Sequence, residues 1–207
     1  MTGTRHEPAD HRRQPTDAGA AGLSPFATKP PGEAIEAPRN VAEDEVRLER
    51  LTPASPHVLR LTRWEFQQWS YLDPERRLDE ALSAFREQCG PGGVPSVFVA
   101  LCGVTPVGMA SLVADDMHDR PDLTPWLASV YVVPAWRGRG IASRLVQRVE
   151  EEARVHGIER FHLFTSDRQT LYRRLGWQAL EECVYRGEAV TLMVRQLPPA
   201  ADCAEPA

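Results

Sequence analysis

Lysine is nearly missing from this chain of 207 residues: of its 24 basic side chains, Lys29 alone is not arginine. That bias runs through the whole sequence, so an arginine at any one position carries little weight by itself. Long apolar runs are missing too. None approaches the roughly 18 residues a membrane span requires, and no apolar leader opens the chain. The four cysteines (Cys89, Cys102, Cys183 and Cys203) form no C-x-x-C pair, and the six histidines form no ligand-spaced cluster. Neither a zinc site nor a disulfide framework is expected, no other metal is called for, and a reducing cytoplasm suits the thiols. Positive charge is in deficit: a net charge of −5 argues against nucleic acid as a partner. What remains, 42% hydrophobic and 26% charged residues, is the composition of a soluble globular protein. A cytoplasmic location, with no membrane partner, is the expectation.

Apolar periodicity is absent from both ends. Residues 1–42 are rich in Pro, Ala, Gly and charge, and 198–207 read PPAADCAEPA. Neither stretch can bury enough surface to offset its ordering entropy, so both are expected to be disordered tails. They flank one domain, residues 43–197.

Within it, Val46 to Leu51 alternates as a strand does. Ser55-Pro56 reads as a cap followed by a first-turn proline, opening a helix to about Tyr71; Asp73-Pro74 repeats the signal and opens a second. Leu78, Leu82, Phe85 and Cys89 give that helix its apolar face. Ser96 to Cys102 and Val107 to Val113 form a hairpin around Gly103 to Pro106, and Asp115 to Pro125 is a polar loop. Phe161 to Thr165 is a strand, Arg168 to Leu175 a short helix, and Trp177 to Tyr185 with Ala189 to Leu197 a closing hairpin. The predicted order is β-α-α-β-β-β-α-β-α-β-β. That makes an α/β (α+β) domain with a mixed sheet of about seven strands and about four helices.

The centre of the chain is Trp126 to Arg148, WLASVYVVPAWRGRGIASRLVQR. Leu127 to Val133 is an apolar strand that should end or bulge at Pro134, which cannot donate to a ladder. From Ile141 the period turns helical, with Ile141, Leu145, Val149 and Ala153 on one stripe. Between them, Gly138 and Gly140 let the backbone turn and approach a ligand. The following helix start offers unpaired N–H groups to an anion. A Walker loop requires a Lys after its glycines and none follows. A dinucleotide fingerprint requires a third glycine where this chain has Ser143.

Arg137-Gly138-Arg139-Gly140-Ile141-Ala142 instead fits [Q/R]-x-x-G-x-[G/A], read after a strand with a terminal proline. The segment resembles the pyrophosphate loop of the GNAT (GCN5-related) N-acetyltransferases. Thr170 to Trp177, TLYRRLGW, resembles the same superfamily's F-Y-x-x-x-G-[FW] helix end, and the element order is that of its fold. The resemblance covers about the 150 residues of the predicted domain. It implies acetyl-CoA as co-substrate and an amine, small or on a peptide, as acceptor. It implies direct attack on the thioester in a ternary complex. Relatives are often dimers, which makes a homodimer an expectation.

The resemblance also implies roles. Tyr131, Val132 and Val133 would contact the pantetheine arm through their main chain. The amides of Gly138, Arg139, Gly140, Ile141, Ala142 and Ser143, with Arg137 at the mouth, would hold the pyrophosphate. Tyr172 falls at the general-acid position, and a phenol with a pKa near 10 is protonated at neutral pH. The family often has an Asn after its fifth strand; here the sequence is Thr165-Ser166-Asp167, and Ser166 is the candidate replacement. Asp115, Asp116, Asp119 and Asp122 lie on the loop before the core strand. Asp122, nearest that strand, is the candidate base. Trp64, Trp69, Tyr71 and Trp126 are candidate acceptor-pocket aromatics. Glu150 to Glu152 read as a solvated helix face, Glu150 pairing with Arg154. A non-catalytic CoA-binding module is the alternative reading.

Overall fold

The computed structural model describes residues 46–198. The expected tails, apart from Pro198, and the first three residues of the expected domain lie outside them. Seven strands and four helices follow in the expected order. They are β1 (Val46–Arg50), α1 (Val58–Trp69), α2 (Leu78–Gln88), β2 (Ser96–Cys102), β3 (Thr105–Val113) and β4 (Trp126–Val132). Then come α3 (Ile141–Val155), β5 (Arg160–Thr165), α4 (Gln169–Arg174), β6 (Gln178–Tyr185) and β7 (Glu188–Gln196). All strands join one mixed sheet in the order β1-β2-β3-β4-β5-β7-β6. Only the β4–β5 neighbours run parallel.

Two features of this sheet create a site. First, β4 carries one extra residue opposite β3: Tyr131 pairs with Met109 and Ala128 with Ser111, so Ser129 and Val130 face a single partner. Ser129 takes up the slack with φ +52°, and such a bulge bends the strand that carries it. Second, β4 and β5 pair at one position, Trp126 with His162. Beyond it β5 runs on to Thr165, fully paired with β7 on its other side. The two strands therefore part toward their C-terminal ends.

Helix α3 covers one face of the sheet with the stripe read from the sequence: Ile141, Leu145, Val146, Val149 and Ala153 are all buried. Each of the Ile, Leu and Val side chains stabilises the fold by roughly 1.5–3 kcal/mol relative to leaving it exposed. The main core continues through Phe98, Met109, Phe161, Tyr172 and Trp177. A second cluster gathers Val113, Met117, Trp126, Tyr185 and Leu192.

The structure corrects several local expectations. α1 starts at Val58 with His57 before it, so Ser55-Pro56 belongs to the preceding turn. Asp73-Pro74 likewise lies in a turn after the short 3-10 segment Ser70–Leu72. α2 starts only at Leu78, where the Glu80 carboxylate accepts the Arg77 amide at 3.1 Å. The Glu150 to Glu152 run is not a solvated face, because only Glu151 is exposed, and it is Glu151 that pairs with Arg154. Glu150 is buried and accepts the Trp177 indole N–H at 3.0 Å. Glu152, 3% exposed, receives Arg148 at 3.1 Å and Arg50, and accepts the Gly93 amide at 2.8 Å. Those donors hold its carboxyl down at about 2 against the opposing pull of burial. Trp126 is core and not pocket: it is wholly buried and its indole N–H donates to the Leu123 carbonyl at 2.7 Å.

Candidate active site

The gap between the parting strands is lined on the β4 side by main chain. Val133 N–H donates to Val107 on β3 at 3.0 Å. Strand alternation then turns the N–H and C=O of Val132 to the opposite edge, toward the gap. There the Arg137 Nε–H donates to the Val132 carbonyl at 2.9 Å. The same guanidinium lies 5.9 Å from the centre of the buried Tyr131 ring, and the Trp64 ring packs on that tyrosine at 5.4 Å. Burial raises the Tyr131 hydroxyl pKa, and Arg137 opposes the rise. Val132 and Val133 are buried as well.

Past β4, Pro134–Trp136 makes one 3-10 turn and the chain enters the glycine loop. Gly138 and Gly140 have φ of +77° and +72°, values that favour glycine, and a Cβ built on either meets nothing within 4 Å. The loop is thus both left-handed and open on the side where a side chain would stand. That is the shape an anion requires to reach backbone N–H groups. Gly140 caps α3, so the first-turn amides of Ile141, Ala142 and Ser143 have no carbonyl a turn earlier to bond. Ile141 is buried beneath, Ala142 and Ser143 are half-buried, and no acidic residue occupies this turn. Arg139 lies over the Trp136 ring at 5.3 Å. The residues present therefore fit a pyrophosphate.

On the β5 side stand Ser166 and Tyr172. Ser166 follows directly on β5, half-buried, its carbonyl accepting the Gln169 side chain at 3.2 Å. Tyr172 on α4 is 7% exposed and packs edge-on against Trp177 at 6.0 Å. Its phenol is pushed well above the usual tyrosine range, first by burial and then by the charges of Asp167 and Asp116, with Arg168 opposing. It stays protonated throughout the physiological range.

Asp122 is not brought to these groups. It precedes the start of β4, the end opposite the glycine loop, with its side chain 64% exposed and paired to Arg120 at 3.3 Å. Arg120 holds its carboxyl below the usual range, which weakens it as a base. Of the four acids weighed on this loop, the structure turns only Asp116 inward. Asp116 is pushed up to about 7, mainly by burial and also by Glu65 and Asp115; His118 and Arg186 oppose. Glu65 on α1, which the sequence reading passed over, is also raised to about 7 by burial, with Arg76 opposing. Its signal was present: Val58, Leu61, Thr62, Glu65 and Trp69 share one helical stripe, and a carboxylate on an apolar stripe is out of place. Nothing in the sequence separates Asp116 from its three neighbours.

Two contacts join the end of the α1 segment to the last hairpin. Tyr71 donates its hydroxyl to Glu188 at 3.3 Å, and the Arg186 guanidinium donates to the Leu72 carbonyl at 2.8 Å. The turn between β6 and β7 is thereby tied to the segment after α1. Tyr71 is pushed up to about 12, chiefly by burial, then by Glu188 and Asp167.

The open glycine loop and the parted strands together make a place for an anion beside a gap in the sheet. The chain matches the acetyltransferase (GNAT) family over residues 58–177, more than half its length, and it belongs to that family. Solved structures agree on the fold. A Salmonella typhimurium protein described as an acetyltransferase, solved with its cofactor acetyl-CoA, is 21% identical with a TM-score of 0.56, covering 75% of this chain and 96% of its own. An aminoglycoside 6′-N-acetyltransferase solved with coenzyme A is 16% identical with a TM-score of 0.59, covering 75% and 99%. A GNAT-family acetyltransferase from Streptococcus pneumoniae is 16% identical with a TM-score of 0.57, covering 74% and 99%.

Proposed function

We propose that this protein is an acetyl-CoA-dependent N-acetyltransferase that acylates a primary amine by direct attack in a ternary complex. The observation that carries the reading is the open left-handed loop Gly138–Gly140 at the start of α3, placed where β4 leaves β5. Acetyl-CoA supplies an activated acyl group as a thioester. The first amides of α3, Gly140 to Ser143, would hold its pyrophosphate, with the helix dipole favouring the negative charge. Arg137 and Arg139 add charge at the mouth, and Arg137 also fixes the Val132 carbonyl. The Val132 N–H, turned to the gap, is the donor for the thioester oxygen, and a preorganised donor aimed at developing charge lowers the barrier. Tyr131 and Val133 shape that edge, and Ser166 is the polar group opposite. Tyr172, buried and protonated, is the acid that protonates the departing thiolate.

The experiment is acetyl transfer from acetyl-CoA to a panel of primary amines, followed by free thiol release with both concentrations varied. Intersecting double-reciprocal lines, with thiol release that requires the amine, support the reading. Parallel lines contradict direct attack, since they indicate an acyl-enzyme. Tight binding of acetyl-CoA with no thiol release for any amine favours a binding module.

A further inference from the structure

We propose that Glu65 and Asp116 form the acceptor-recognition pair of this site: two carboxyls, one from α1 and one from the loop after β3, that bind a cationic primary amine lacking an acidic group and accept the proton it sheds before attack. The proposal rests on the acetyltransferase reading above.

The geometry begins with Glu65. Its side chain is 15% exposed, and its nearest cation, Arg76, stands 3.8 Å from Oε1, outside hydrogen-bond distance. Oε2 is buried with no hydrogen-bond partner. Buried carboxylate oxygens are otherwise satisfied in folded proteins, so an orphan of this kind calls for a physical reason, and a group held for a partner supplies one. Glu152 in the same chain shows the contrast, with Arg50, Arg148 and the Gly93 amide all on one carboxylate.

Asp116 is the second acid, half-buried on the loop after β3. Its neighbour Asp115 pairs with His118 at 2.7 Å, and Asp122 pairs with Arg120. Asp116 has neither a hydrogen bond nor an ion pair among the described residues, although it is drawn inward. Its charge is felt at Tyr172, and the Glu65 charge is felt at Asp116. The Tyr71–Glu188 and Arg186–Leu72 contacts tie the β6–β7 turn to the segment after α1, and the Arg186 charge on that turn is felt at Asp116.

Other charged and titratable groups face the pair from every side. Arg76 follows α1, Cys89 ends α2, Asp115 and His118 share the Asp116 loop, Arg186 lies on the β6–β7 turn and Tyr172 on α4. Among the described residues, Arg76 is the one of these cations that pairs with either acid, at 3.8 Å from Glu65. With both acids near 7, the pair holds about one proton at neutrality. An incoming ammonium displaces that proton, so acceptor binding strengthens as pH rises through 7. It does so until the amine itself loses its charge, near pH 10.4 for an alkyl amine. A neutral or carboxylate-bearing acceptor gains nothing from the pair.

The chemistry balances. The bound ammonium gives one proton to a carboxylate of the pair and becomes an amine. The amine lone pair forms the N–C bond to the acyl carbon, and the C–S bond breaks with its electrons leaving on sulfur. The nitrogen's surplus proton and the proton for the thiolate are one and the same, passed through Tyr172, which gives its hydroxyl proton to sulfur and takes the one from nitrogen. The proton on the pair returns to solvent.

The test is calorimetric titration of 1,5-diaminopentane and of glutamate into the full chain, with and without desulfo-CoA, at pH 6.0 and 8.0. The wild type, Glu65→Gln, Asp116→Asn and the double variant are compared, with circular dichroism to verify folding. The wild type should bind the diamine more tightly at pH 8.0, by about tenfold or more for one proton displaced, and should ignore glutamate. Each single variant should weaken diamine binding about tenfold or more and flatten the pH dependence, and the double variant should abolish it. Diamine binding unchanged in folded variants, absent from the wild type at both pH values, or matched by glutamate overturns the proposal. Failure of desulfo-CoA to bind while the diamine follows the two carboxyls would remove the acetyltransferase reading and not the pair.

Discussion

Glu65→Gln should change the stability of this protein by an amount that depends on pH, and the structure gives the sign. The Glu65 carboxyl is raised by burial from 4.5 to about 7. Between those values the folded chain holds a proton that the unfolded chain has released, so wild-type stability falls as pH rises through that window. Each tenfold change in proton affinity is worth about 1.4 kcal/mol, so the loss amounts to roughly 3 kcal/mol at most, complete above pH 7. Glutamine does not titrate. Whatever the amide gives up in packing is common to both pH values and cancels in the difference. The variant should therefore be more stable relative to wild type at pH 8 than at pH 5, by up to roughly 3 kcal/mol. For a chain of this size that is on the order of 6–12 °C in Tm. Urea unfolding at the two pH values measures it, with equal m-values certifying that the same transition is compared. An identical difference at pH 5 and pH 8 would refute the reasoning, because it would place the carboxyl in water or in full partnership with Arg76.

Glu152→Gln has the opposite dependence. Its carboxyl lies at about 2, below its ordinary 4.5, so its stabilisation is present above pH 4.5 and is lost as pH falls from there toward 2. Urea unfolding at pH 7 should show a loss of about 3–5 kcal/mol, as for one partner removed from a buried ion pair, and the acid limb of the stability curve should flatten. Tyr172→Phe should lower kcat by about 100-fold while leaving desulfo-CoA affinity unchanged, read by steady-state kinetics beside calorimetry. Asp122→Asn removes an exposed partner of Arg120 and should leave the urea midpoint where the wild type has it.

The fold was legible because its signals are local. Pro134 ending a β-branched run, the left-handed glycines and the Ile141–Ala153 stripe each act within a few residues, and the structure places them as read. Two helix starts were misread, since a proline near a cap marks a turn as readily as a first helical residue. The glutamate run was misread for a different reason. Glu150 and Glu152 face inward because Trp177, Arg50 and Arg148 reach them from distant strands and helices, and sequence distance hides such partners. The choice among Asp115, Asp116, Asp119 and Asp122 failed in the same way. Nearness to β4 in sequence favoured Asp122, whereas the path of the loop turns Asp116 inward. The bulge at Ser129 that bends β4 has no marker, because serine is uncommon at positive φ.

The most direct test of the account is thermal unfolding of the wild type and of Gly140→Asp with acetyl-CoA, desulfo-CoA and NAD. Aspartate tolerates the left-handed backbone better than most residues and is a good helix cap, so the variant should fold. Its carboxylate would take the anion position itself. A ligand at about 100 times its dissociation constant adds roughly 2.7 kcal/mol to the native state. The account predicts that both CoA compounds raise the wild-type Tm by several degrees, that NAD does not, and that Gly140→Asp loses the shift while keeping its ligand-free Tm. No shift with either CoA compound, or an equal shift in Gly140→Asp, would contradict the placement of the pyrophosphate on this loop and the acetyl-transfer reading built on it.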